Sequence, residues 1–139
     1  MAMPTFDSLN VGDEIPSFTT EPVSRLTLAL YATGSGDHHP LHLDQDYVRS
    51  KGIKDVFAHG MLGMAWLGRR LTGWRPQSCL RSFTVRFMAL THLGNQPVLR
   101  GQVVDLLDED GVPLARVAVE MLNQYGQLKI QGEALVALD

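Results

Sequence analysis

Between residues 79 and 88 the chain reads CLRSFTVRFM, with Phe83, Val85 and Phe87 on one face and Ser82, Thr84 and Arg86 on the other. A two-residue period of this kind predicts a strand with one buried face. Residues 96–107, 113–123 and 127–138 are three further long strand candidates. Between them stand DEDG at 108–111 and Tyr125-Gly126, residue types suited to tight reversals and positive φ. Three strands joined in this way predict an antiparallel meander. The first half of the chain is mixed. Residues 11–18 predict a short strand, with a turn at Gly12-Asp13. Ser24 is placed to cap a helix over 25–33 that Gly34 stops, and 44–50 predicts a second helix ending at Gly52. A third helix begins near His59. Its Met61, Leu62, Met64, Ala65, Leu67, Gly68 and Leu71 are apolar or small around most of the circumference until Arg69-Arg70. A helix of that kind must be enclosed.

One enclosed helix and a long antiparallel sheet predict an α+β fold in which a curved sheet wraps around a central apolar helix, the hotdog arrangement. The 139 residues fit a single domain spanning 1–139. A lone sheet leaves edges and a helix flank to cover, which predicts a dimer. Composition narrows the class. A hydrophobic share of 45% with 19% charged residues is globular, not disordered. A formal charge of −3 with no basic run argues against a nucleic-acid partner. No apolar stretch approaches the ~18 residues of a membrane span, and MAMPTFDSLN lacks the basic and apolar regions of a secretory signal, so a cytoplasmic location is expected. Cys79 is the only cysteine and falls in a segment read as a buried strand, so no internal disulfide can form.

Two segments carry chemistry. In YATGSGDHHPLHL (31–43), Gly34, Gly36 and Pro40 oppose a continuous helix and predict a shaped loop. Asp37 and His42 are five residues apart, and a loop turned at Gly36 and Pro40 lets them converge. A carboxylate and an imidazole facing one water form an acid–base pair near neutral pH. Taken alone, the pair equally fits a turn-capping Asp37 with a packed His42. The second segment is FAHGM (57–61), just before the apolar helix. The amide of Gly60 at a helix N-terminus can meet developing negative charge, or Gly60 can simply permit close packing against the sheet. His38, His39, His42 and His59 raise a metal site, but Pro40 interrupts the i, i+4 pair His38/His42, no second Cys is present, and none is expected. Arg69-Arg70, Arg81 and Arg86 read as surface charges, and Trp66 and Trp74 as packing residues.

Together, SGDHHPLHLD and VFAHGMLGMA resemble the two motifs of the MaoC-like, (R)-specific enoyl-CoA hydratase family, S-G-D-x-N-P-x-H-x-D and a downstream A-H-G-M. The resemblance runs from FDSLNVGDEIP to the last strand. It extends to single-hotdog members such as the catalytic subunits of type II fatty-acid-synthase (3R)-hydroxyacyl dehydratases. It implies a hydro-lyase acting on trans-2-enoyl or (3R)-hydroxyacyl thioesters carried by CoA or acyl-carrier protein, with no metal or redox cofactor. Asp37 and His42 would be the catalytic dyad, Gly60 the oxyanion amide and His59 a neighbour shaping the start of the helix. Gly36, His39 and Pro40 would shape the loop, with His39 standing where the family has Asn. Two alternatives stay open: a hotdog thioesterase, or the catalytic half of a heteromer that needs a second hotdog subunit.

Overall fold

The computed structural model describes residues 3–139. The expectation for the opening segment also involves Met1 and Ala2, which lie outside the described residues. Five strands, β1 (Glu14–Thr19), β2 (Leu80–Phe87), β3 (Val98–Glu109), β4 (Val112–Leu122) and β5 (Leu128–Ala137), form one sheet. Its order is β1-β3-β4-β5-β2, with every pairing antiparallel. The expected meander is β3-β4-β5. Asp110 (φ 53°) and Gly111 (φ 84°) make its first turn, the positive pair that matches the twist of a two-residue hairpin. β1 and β2 occupy opposite edges, so the chain between them must cross one face of the sheet. That crossing carries the four helices: α1 (Arg25–Ser35), α2 (Pro40–Leu43), α3 (Gln45–Ser50) and α4 (Gly60–Trp74).

Register shifts in all four pairings, at Ile15/Phe18, Leu80/Ser82, Val103/Asp105 and Met121/Leu122, bend the strands so that the sheet curls over α4. Leu67 and Leu71 bury against Leu99, Val103, Val117, Val119, Ala134 and Val136 of the sheet. Leu62 belongs to a second core with Val23, Leu28, Val48, Val56 and Ala58, and Trp66 packs against both. Each fully buried Leu contributes roughly 1.5–3 kcal/mol. The hotdog expectation therefore holds, with α4 between the sheet and the α1–α3 layer. No helix among the described residues is long and apolar enough to cross a membrane.

Several boundaries differ from the sequence expectations. α1 runs through Gly34 to Ser35 and ends at Gly36, whose φ of 78° is the left-handed value a helix stop needs. Gly34 has a helical neighbourhood on both sides and stops nothing. α4 continues past Arg69-Arg70 to Trp74, since an exposed Arg has high helix propensity and does not terminate. Nor is α4 enclosed on all sides: Met61, Ala65 and Arg69, one turn apart, lie exposed. β1 begins at Glu14, because Gly12 (φ 101°) still belongs to the preceding turn. Cys79 closes a 3₁₀ turn, Gln77–Cys79, instead of lying in the strand. Phe87, expected on the buried face, is 49% exposed where β2 leaves the core.

Candidate active site

Ser24 caps α1 by accepting the Thr27 amide, and the helix delivers the chain to Gly36 and Asp37. The Asp37 amide donates to Ser35 Oγ (3.2 Å), and Asp37 Oδ1 accepts the His39 amide (3.2 Å), which fixes a tight carboxylate-led turn. The expectation of a loop through Pro40 requires correction. Pro40 opens α2, because the first helical residue has no use for an amide hydrogen and its φ is already helical. His39 caps this turn: its Nδ1 accepts the Leu41 amide at 3.1 Å. An imidazole nitrogen thus supplies the acceptor that an Asn oxygen supplies at an N-cap. His42 follows on α2.

The structure brings Asp37 and His42 together, with Asp37 Oδ2 3.9 Å from His42 Nε2. The other imidazole nitrogen, Nδ1, lies 2.7 Å from the Phe57 carbonyl oxygen. A carbonyl only accepts, so Nδ1 carries a proton, and Nε2 is the nitrogen that faces Asp37. Phe57 is itself held, its amide donating to the Leu41 carbonyl and its backbone bridging to His92. The His42 side chain is 11% exposed and that of Asp37 51%. The imidazole is therefore seated in the wall, and the carboxylate stands at the rim in contact with solvent.

His59 stacks on His42 with ring centroids 3.9 Å apart, and Tyr31 meets its edge at 4.7 Å. Its Nε2–H donates to the Asp37 main-chain carbonyl at 3.0 Å. Burial lowers the His59 pKa below the usual 6.5, with the neighbouring His42 acting in the same direction and the Asp37 carbonyl opposing it. A neutral ring keeps the donated Nε2–H and leaves Nδ1 buried without a partner. His59 also occupies the N-cap position of α4 without a side-chain capping bond. The Gly60 amide, first of that helix, has no protein acceptor among the described residues, and Gly60 as a residue is exposed.

From Gly60 a cavity of about 100 Å³ runs inward, lined by Phe57, Ala58, His59, Gly63, Trp66 and Phe87 and ending on Met121 and Ile130. An open depression of about 970 Å³ lies on the far side of the sheet. It carries mixed charges, among them Glu14, Arg86, Arg100, Glu120 and Glu133, and none of the candidate residues. The smaller cavity includes His59 and Gly60 in its wall, and it reaches Asp37 and His42 only through His59, which stacks on His42.

Donor atoms of Asp37, His42 and His59 lie within 4.8 Å of one another. A zinc ion with ~2.0–2.1 Å bonds would need them to close to about 3.3 Å. His38 is exposed and stands apart from this set, so the structure does not assemble the His38/His42 pair. Arg69 points to solvent, Arg70 lies 4.5 Å over the Phe18 ring, and Arg81 donates to the Ser78 carbonyl. Trp66, read as packing, also walls the cavity. Sequence reasoning missed Tyr31, the Phe57 carbonyl, Met121 and Ile130. Tyr31 lies in the 31–43 segment and the carbonyl beside the A-H-G motif, whereas Met121 and Ile130 arrive from distant strands.

Comparison with known proteins agrees with this architecture. The MaoC like domain family matches residues 9–123. An (R)-specific enoyl-CoA hydratase of Rhodospirillum rubrum is 29% identical over 118 residues, covering 82% of this chain and 78% of that protein. A 3-hydroxybutyryl-CoA dehydratase of Methylorubrum extorquens is 28% identical over 135 residues, covering 94% and 82%. The unliganded R-hydratase of Pseudomonas aeruginosa superposes with a TM-score of 0.82 at 28% identity, covering 97% of this chain and 86% of that one. A sheet curled over α4, Asp37 and His42 brought within 3.9 Å of each other beside His59, and a family match over most of its length lead to one conclusion: the chain belongs to the MaoC-like hotdog family of hydratases and dehydratases.

Proposed function

We infer that this chain, acting as one hotdog unit over residues 1–139, adds water to trans-2-enoyl thioesters or removes it from (3R)-hydroxyacyl thioesters. The observation that carries the reading is the 3.9 Å gap between Asp37 Oδ2 and His42 Nε2, beside His59, which stacks on His42 and lines the cavity that starts at Gly60. This gap is too long for a direct hydrogen bond and suits one water touching both groups. With the thioester carbonyl on the Gly60 amide, attack by that water at C3 shifts the π electrons to C2 and the carbonyl oxygen. The dyad takes one proton from the water as the C3–O bond forms. The amide and the helix dipole hold the enolate oxygen. One proton is then returned to C2, so protons balance. The thioester itself makes C2 acidic, and no step calls on a metal or redox cofactor. The substrate arrives on CoA or acyl-carrier protein, as in fatty-acid metabolism. A second hotdog subunit, identical or not, completes the assembly. The (R) stereochemistry follows the relatives named for it.

The test is hydration of crotonyl-CoA followed by loss of enoyl absorbance, with thiol release followed in parallel. Asp37→Asn and His42→Ala should each lower kcat by about 10²–10⁴-fold with unchanged circular dichroism. Near-normal turnover in both variants overturns the dyad, and thiol release without hydration turns the reading into a thioesterase.

A further inference from the structure

The cavity behind Gly60 is short, and specific side chains close it. Gly60 and Gly63 are one helical turn apart on the same face of α4, roughly 4.5 Å along the axis. A Cβ added at Gly63 would lie 2.5 Å from Ile130 Cδ1, 3.0 Å from Met121 Cε and 3.2 Å from Met121 Sδ. The missing side chain therefore opens no tunnel along the helix. Ile130 and Met121 already fill the space, and both are almost wholly buried. They face each other across the β4–β5 pairing, so their position is set by sheet register and not by a loop. Ala65, the other small residue that a tunnel along α4 could use, is exposed on another face. The Gly68 face is closed off by Phe83. At the opposite end Phe87 and Leu90 are exposed, so the cavity is open outward and closed inward.

Resting on the reading that the thioester carbonyl meets the Gly60 amide, we propose that Met121 and Ile130, packed on Gly63, form a floor that limits the acyl group to about four carbons. An apolar cavity of about 150 Å³ holds the six carbons of benzene, so one of about 100 Å³ holds about four. The pantetheine arm then leaves past Phe87 and Leu90. A longer acyl chain has to displace two side chains anchored in the sheet, and a close-packed core does not yield to extra methylenes.

Binding of saturated acyl-CoA thioesters reads the floor without turnover. Calorimetric titration of butyryl-, hexanoyl- and octanoyl-CoA should show affinity falling about tenfold or more beyond butyryl, the discrimination a tight apolar pocket makes per methylene. Met121→Ala and the milder Ile130→Val should each move the hexanoyl-to-butyryl ratio about tenfold toward the longer chain. Using the ratio cancels any general loss of affinity, and Ile130→Val guards against a Met121 variant that fails to fold. Equal or tighter binding of octanoyl-CoA by the unaltered protein overturns the proposal, as does an unchanged ratio in both variants or no saturable binding of any acyl-CoA. Chain-length selectivity in a protein that fails to hydrate crotonyl-CoA upholds the floor and overturns the hydro-lyase reading instead.

Discussion

Three of the four histidines within 31 to 60 do three different jobs, and their backbone partners separate them. His39 Nδ1 accepts an amide and caps α2. His42 Nδ1–H donates to a carbonyl and frees Nε2 for Asp37. His59 is buried beneath His42 and holds the Asp37 main chain. The last arrangement has a measurable consequence. The His59 pKa lies below 6.5 in the folded protein, so between that lowered value and 6.5 the unfolded chain binds more protons. Stability contributed by neutral His59 is therefore present above 6.5 and is lost as pH falls through this window. Urea midpoints should drop from pH 7.5 to pH 5.5, and His59→Gln should flatten that slope; an equal slope in the variant contradicts the assignment. At this scale the sequence marked Asp37 and His42 as a candidate pair, and the fold brings them within 3.9 Å. The carbonyls that select each tautomer were not legible, because main-chain acceptors look alike in a sequence.

Among the elements, glycines show how much depends on neighbours. Gly132 on β5 pairs with Val85 of β2, and a Cβ there would lie 2.1 Å from the Thr84 carbonyl oxygen and 2.8 Å from Val85 Cα. Backbone atoms cannot swing aside as a side chain can. Gly132→Ala should therefore cost at least the upper end of the ~1–3 kcal/mol typical of overpacking. Gly73 in α4 has nothing within 4 Å of such a Cβ, and Gly73→Ala should stabilise by ~0.4–1 kcal/mol. Chemical denaturation of the two variants side by side reads both signs. The sequence marked every one of these positions as Gly without distinguishing them. It likewise put the stop of α1 at Gly34 when Gly36 has the positive φ, and read Pro40 as a breaker where it opens a helical turn. A breaker's effect depends on whether it falls before, inside or after the first turn, which periodicity does not resolve.

For the whole molecule, the sheet among the described residues ends in two edges, β1 and β2, and the cavity-lining Phe87 and Leu90 stay exposed, as do Met61 and Met88 next to Gly60 and Phe87 in the chain. Unpaired edges and clustered apolar side chains in a small chain call for a second subunit. Sedimentation equilibrium at micromolar concentration should give about twice the chain mass, for the chain alone or with a second hotdog chain supplied; a monomer under both conditions contradicts the expectation. The exposed strip of α4 at Met61 and Ala65 makes the same point, since a helix expected to be enclosed on all sides is covered only in part by its own chain.

The sequence by itself determined the meander, the apolar helix, and the two segments that supply Asp37, His42 and His59. Each of these rests on local periodicity or on side-chain chemistry written into consecutive positions. Only the tertiary structure decided that β1 and β2 flank the meander, so that the crossing carries α4 over the sheet. Only it decided that His59 stacks on His42, and that Met121 and Ile130 close the space beside Gly63. Those contacts join residues far apart in the chain, Glu14 with Gln102 and Gly63 with Ile130 among them, and follow from sheet register and helix crossing. No local pattern specifies them.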